Sequence, residues 1–351
     1  MSVFQKMYRG QTRFDFVAIS RTTLKVSLAL VLLSLLLMVV RPFNLSIDFT
    51  GGVLVTVDNQ ANATVEEVRA DLREVGFADA RVQITGEGED AFIQVQTESL
   101  EPDAQDNLVS AVSSAAGADI NDVNVSAVGP TFGAEVTRKA IQALVVFLIV
   151  VSIFIAWRFE WKMALAALAA LFHDLIIAGG IYAAIGFVVT PSTIIAVLTI
   201  LGYSLYDTVV VFDKVTENVD QADSKTTYSS VINLSMNQVL MRSINTSLTS
   251  LLPVGSLLLV GFLAIGAETL REFALALFIG IALGTYSSLF VAAPLLARWK
   301  EREPNWERNR RKAAKSDDGE EIEDVAVEVA PDAPSVANAT PKPPKQRRKR
   351  R

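Results

Sequence analysis

Cysteine is absent from the 351 residues of this chain, and histidine occurs once. The first absence excludes structural disulfides and thiolate metal sites, and a lone imidazole without thiols cannot build an ordinary zinc centre. No Gly-x-x-x-x-Gly-Lys-Ser/Thr run is present to cradle phosphates, and no Gly-x-Ser-x-Gly turn to present a nucleophilic serine. An ATPase or a metalloenzyme is not indicated, and no cofactor is expected. Lysine is also missing from one long stretch: between Pro42 and Thr137 there are 17 acidic residues against 3 arginines, a net of −14, although the whole chain carries only −6. What the chain has in abundance is apolar residues, at 51%, with 20% still charged. With a mean hydropathy of +0.35, that combination requires apolar blocks set apart from polar ones, as in a membrane protein.

Six apolar segments are long enough to cross a bilayer core, which takes roughly 20 helical residues. They are predicted at about Thr22 to Val40, Ile141 to Trp157, Met163 to Phe187, Ser192 to Phe212, Ile244 to Leu263 and Phe273 to Ala297. The first follows a basic stretch but no Ala-x-Ala-like site closes it, so it is expected to be a retained helix. Basic residues cluster before the first segment, at Arg158 to Lys162, between Lys214 and Arg242, and from Arg298 to Lys315. With six spans these all fall on one side, so the positive-inside rule predicts cytoplasmic termini and an extracytoplasmic acidic insert. The expected organisation is a cytoplasmic N-terminus (1–21), a first span (22–40), an outer domain (41–138), five spans (139–297) and a disordered charged cytoplasmic tail (298–351).

The insert carries its own fold signals. Val53 to Val57 reads as a strand; Thr64 with Glu67 is a capping box opening a helix that stops at Gly76. Arg81 to Thr85 and Ala91 to Thr97 alternate as a hairpin about Gly86 to Asp90, Pro102 to Ala116 reads as a helix closed by Gly117, and Asp122 to Val128 as a last strand. The order β-α-β-β-α-β is that of a split-βαβ, ferredoxin-like α+β domain. The tail after about Lys312 ends in a basic run, Gln346 to Arg351, which suits anionic lipid, ribosomal RNA or a solvated topology signal; no sequence-specific nucleic-acid partner is expected.

Asp207 stands inside the fourth span, where a charge costs several kcal/mol and marks a functional group by default. Asp213, six residues on, is expected at the interface, paired with Lys214. His173 and Asp174 lie mid-way through the third span; adjacent positions diverge by about 100° on a helix, so they are not expected to pair. Imidazole exchanges protons near neutral pH, which makes His173 either a proton carrier or a hydrogen-bonded core residue. Arg242 opens the fifth span and shares a helical face with Thr246, Thr249 and Ser250, a polar stripe expected to turn inward. Its guanidinium stays charged, so it serves by stabilising a carboxylate or exchanging ion-pair partners, or else by snorkelling to the interface.

Several motifs then carry a family resemblance. Asp48-Phe49-Thr50-Gly51-Gly52 after the first span, Val128-Gly129-Pro130 with Gly133 and Glu135 before the second, His173-Asp174, Gly202-Tyr203-Ser204 through Glu217-Asn218, and Asn237-Gln238 with Arg242 to Ser247 resemble the SecF subunits of the bacterial SecDF protein-export complex. The resemblance runs from about Phe14 to Ala297 and departs at Tyr206, Lys214 and Thr216, where that family often has Asn, Arg and Arg. It implies a membrane fold of the RND superfamily, a SecD partner, the SecYEG channel, a translocating preprotein and surrounding lipid. It also implies use of the proton gradient, with the positions of Asp207 and Arg242 linked to proton conduction. Six spans are half of the superfamily's usual twelve, so polar stripes on one chain require a second. Two other functions fit less well: a proton-driven exporter of small molecules or lipids, and an intramembrane aspartyl protease using Asp174 and Asp207 as a dyad.

Overall fold

The computed structural model describes residues 12–86, 88, 91–223, 226–263 and 268–317. Six helices have the length and hydropathy of membrane spans. Helix α1 (Phe16–Val40) starts six residues before the expected Thr22, because the Asp15 side chain caps it by accepting from Ala18 N at 2.8 Å. Its buried face carries Ser20, Ser27 and Ser34, seven residues apart, which let it approach its neighbours closely. Strand β1 (Asn44–Leu45) and the short helix α2 (Ile47–Thr50) lead into the outer domain.

That domain consists of β2 (Gly52–Asp58), α3 (Val65–Glu74), β3 (Arg81–Thr85), β4 (Phe92–Thr97), α4 (Pro102–Ala116) and β5 (Asn124–Val128). The sheet order is β3-β4-β2-β5, all neighbours antiparallel, which is the split-βαβ arrangement. Both reciprocal bonds of the Thr64/Glu67 capping box form, and Gly117 closes α4 in the left-handed conformation. Val53, Val55, Val57, Val82, Ile93 and Val95 bury one sheet face against Val68, Leu72, Leu108 and Val112 of the two helices. Of the expected hairpin turn, Glu87, Glu89 and Asp90 lie outside the described residues.

Helix α5 (Pro130–Arg158) begins with Pro at its first turn, so the last residues expected in the insert belong to a span instead. It is followed by α6 (Trp161–Ile185), β6 (Val188–Val189), α7 (Pro191–Asp220), α8 (Tyr228–Leu263) and α9 (Glu268–Ser287). Strand β6 pairs in parallel with β1. A π-helical turn (Ser288–Ala292) then joins α9 to α10 (Ala293–Lys300), within one continuous span to Lys300. Burial separates an inner layer from an outer one: within an 18-residue apolar stretch of each span, 50% of α6 and 56% of α9–α10 are buried, against 11% of α1 and of α5 and 6% of α8. The first half of α8 is itself packed in the core through Tyr228, Val231, Ile232 and Met236. The expected disordered tail from 298 is corrected over its first part, since α10 runs to Lys300 and α11 spans Pro304–Asp317. Trp306 packs edge-on against Tyr228 at 4.9 Å, and Lys162 reaches Glu303 at 2.9 Å, which anchors α11 to the bundle. Residues 318–351, including the terminal basic run, lie outside the described residues.

Candidate functional site

Asp207 sits on α7, half-buried, with both carboxylate oxygens occupied by hydroxyls from other elements. Ser243 of α8 donates to Oδ1 at 2.7 Å, and Ser288, the first residue of the π turn, donates to Oδ2. A recess of about 10 Å³ beside it is lined by Tyr203, Tyr206, Thr246, Ser247 and Thr285, room on the scale of one water. The approach is made possible by Gly280 and Gly284 on α9. A Cβ on Gly280 would fall 2.2 Å from Ile200, and one on Gly284 2.8 Å from Ser204.

Asp174, on α6, is 2% exposed and is likewise held by hydroxyls: Ser204 and Ser287 donate to Oδ2 at 2.6 and 2.7 Å. Its other oxygen lies 3.0 Å from His173 Nδ1, which corrects the expectation that these neighbours do not pair. Successive Cβ directions do diverge on a helix. The imidazole is long enough to fold back along the axis and reach the neighbouring carboxylate. His173 Nε2 is buried without a hydrogen-bond partner among the described residues, and the ring stacks on Tyr286. Asp174 and Asp207 are thus bound by different hydroxyls, Ser204 and Ser287 for the first and Ser243 and Ser288 for the second.

Arg242 is exposed and donates to the Tyr206 hydroxyl at 3.0 Å; among the described residues no carboxylate is within ion-pair distance of it. Asn245 and Thr249, at helical spacing on α8, are exposed with it, and Tyr206 is 51% exposed. The stripe expected to turn inward is split: Arg242 and Thr249 are exposed, whereas Thr246 lines the Asp207 recess and Ser250 hydrogen-bonds to the Tyr203 hydroxyl. Periodicity identifies a polar face but not what covers it, and six helices leave the α7–α8 face without a neighbour. Tyr206, where the resembled family often has Asn, supplies the bridge from the guanidinium toward the Asp207 recess. Asp213 pairs with Arg158 at 2.6 Å rather than with Lys214, which turns to Glu217 at 2.7 Å.

The Asp48–Gly52 segment forms the joint between membrane and outer domain. Asp48 accepts from Ser46 at 3.0 Å, Phe49 is buried, and Thr50 donates to the carbonyls of Ser46 and Gly51. Gly51 and Gly52 have φ of +73° and +119°, and a Cβ on Gly52 would lie 2.1 Å from the Thr97 carbonyl oxygen. Gly133 completes the joint, since a Cβ there would meet Gly51 N at 2.7 Å.

At the opposite end of the bundle, burial works against the ionised form of Glu303. Hydrogen bonds and charge from Lys162 and Lys300 outweigh it and hold the carboxyl below its ordinary value. Two asparagines hold the start of the first span. Asn237 both accepts from Phe14 N and donates to Phe14 O, each at 2.9 Å, and Asn233 accepts from Val17 N at 3.1 Å, so α8 clamps the entry to α1. Asn237, Ser204 and Ser243 fall within quoted motifs, whereas Asn233, Ser287 and Ser288 carry no signal, because hydroxyls and small residues are common in membrane helices.

Comparison with known proteins places this geometry in a family. Residues 108–302 match the model described as protein export membrane protein SecD/SecF, C-terminal, and residues 36–58 match the SecD/SecF GG motif. Protein translocase subunit SecF of Streptomyces coelicolor is 38% identical over 343 residues, covering 96% of this chain and 91% of that one. The SecF subunit of Mycobacterium tuberculosis is 39% identical over 310 residues, 86% of this chain and 70% of that one. The crystal structure of SecDF from Thermus thermophilus, described as a translocon-associated membrane protein, superposes with a TM-score of 0.75 at 35% identity over 84% of this chain. This chain spans only 39% of that one.

Proposed function

The chain belongs to the SecD/SecF family of protein export membrane proteins, and on that premise we propose that it is an accessory subunit of a protein translocase rather than an enzyme. In this reading it works with a SecD-type partner at the SecYEG channel, drawing a preprotein across the cytoplasmic membrane at the expense of the proton gradient. No other cofactor is involved. Both termini face the cytoplasm, the outer domain is extracytoplasmic, lipid surrounds the remaining faces, and nucleic acid has no specific role.

The observation that carries the proposal is the outward stripe of Arg242, Asn245, Thr249 and Tyr206 beside a half-buried carboxylate. In hydrocarbon an uncovered guanidinium and amide are costly, so a second helical chain must lie there. The SecDF of Thermus thermophilus carries its matching region within a longer chain, which supports a SecD-type neighbour against this face. A proton entering from outside would load Asp207, displacing a serine donor. Arg242, held by Tyr206, would stabilise the ionised form once the proton leaves, and His173 with Asp174 would provide a second proton-holding pair in the same bundle. Asp213 would serve as an interfacial ion pair with Arg158.

The direct test is a photo-crosslinking residue at Asn245 or Thr249 in cells expressing the partner. Crosslinks to the SecD chain from this stripe, and none from exposed Val146 on α5, are the expected result. Crosslinks to lipid alone would overturn the proposed interface.

A further inference from the structure

Ser287 and Ser288 are consecutive, yet their hydroxyls serve different carboxylates. Ser287 donates to Asp174 at 2.7 Å and Ser288 donates to Asp207. Both serines are fully buried. Each also has a backbone acceptor within reach: Gly284 O lies 3.2 Å from Ser287 Oγ and Thr285 O lies 3.2 Å from Ser288 Oγ. Neither hydroxyl therefore needs a carboxylate to be satisfied, and each can swing between the carboxylate and its own helix.

The place where they sit gives that swing a consequence. Ser288 opens the π-helical turn Ser288–Ala292 inside the span that ends at Lys300. A π turn holds one residue more than the α ladder around it and occurs mostly as a local feature at functional sites. Re-aiming one serine acts on the peptide unit it shares with the other, while Asp174 and Asp207 stand on separate helices with no hydrogen bond between them. The remaining titratable groups facing the two carboxylates are His173 on α6, Tyr203 and Tyr206 on α7, Arg242 on α8 and Tyr286 on α9. Tyr286 is engaged by Ser27 at 3.0 Å.

We infer that Ser287 and Ser288 are positioning residues that tie both carboxylates to one π-turn junction, Ser287 as its N-cap and Ser288 as its first residue, so that loading a proton on one changes the hydrogen bonding of the other. A proton from the medium forms an O–H bond on a carboxylate oxygen. The serine hydrogen then turns to its backbone carbonyl, and no bond within the serine breaks. The inference rests on the proton-coupled reading given above, but it makes a separate claim about communication between the two sites.

Infrared titration of the intact complex in lipid vesicles tests it, following carbonyl-stretch bands of protonated carboxyls assigned by Asp174→Asn and Asp207→Asn. Ser287→Ala touches only Asp174, yet it is expected to shift the Asp207 midpoint by on the order of half a pH unit, and Ser288→Ala to shift that of Asp174. Ser→Thr at either position, which keeps the hydroxyl, should restore the parent midpoints. If an alanine variant fails to assemble, the Ser→Cys variant, of similar size but a weak donor, must give the same cross-shift. Midpoints that move only at the carboxylate each serine touches, or carboxylates that never titrate, overturn the inference. Cross-shifts together with normal export by Asp207→Asn would remove the proton-drive reading and leave the coupling standing; loss of export without cross-shifts would do the reverse.

Discussion

At the scale of single residues, the site is built from hydroxyls around carboxylates, and each donor is a measurable contribution. Ser243→Ala removes one of the two donors to Asp207 and leaves a half-buried carboxylate short of a partner. Such a loss is worth about 1–3 kcal/mol, so proton-driven export should fall roughly tenfold while membrane insertion is unchanged. Equal export rates in reconstituted vesicles would contradict this. Gly52→Ala meets the Thr97 carbonyl at 2.1 Å with φ at +119°. It should destabilise the joint by about 2 kcal/mol or more, read as faster proteolysis of the outer domain in the full chain. Asp207 was legible in the sequence because a carboxylate in an apolar run is rare. Its serines were not, because nothing distinguishes a serine that donates to a carboxylate from one that bonds its own helix.

At the scale of elements, local signals decided what could be read. Capping residues and glycines fixed α3, α4 and the strands of the outer domain to within a residue or two, since each sits at a chemical punctuation mark. Five of the six spans were found but drawn short; at the first, the stretch from Phe16 to Arg21 continues the helix because Asp15 caps it and Asn233 and Asn237 hold its start. The π turn left no trace in the pattern, and α11 was missed because its charge hides the anchor made by its Trp306 and by Glu303 just before it. That anchor has a pH signature. Glu303 has a folded value below its ordinary 4.5, so its contribution is complete above about pH 4.5 and is lost as pH falls through the lowered folded value. The pair is partly exposed, so the effect is about 1 kcal/mol or less. Protease cleavage at Arg308 to Arg311 should rise on acidification in the parent chain, and Glu303→Gln should cleave at the acidic rate already at neutral pH.

At the scale of the whole molecule, the acidic insert, the basic turns and the exposed α7–α8 stripe support the proposed orientation and the proposed second chain against that stripe. The chain lacks cysteine, so single-cysteine variants report topology without background. Asp119→Cys should react with an impermeant thiol reagent on intact cells, and Arg308→Cys only after permeabilisation; the opposite pattern would invert the orientation. The need for a second chain was readable from six spans carrying polar stripes, but which stripe stays bare emerges only from packing. The central claim is that Asp207 couples proton entry to export. Its most direct test is preprotein translocation in vesicles containing the chain, its SecD-type partner and the channel, with and without an imposed proton gradient, comparing the parent with Asp207→Asn. The account predicts that the variant assembles and translocates at the gradient-free rate whether or not the gradient is present. Full gradient stimulation in Asp207→Asn would contradict it.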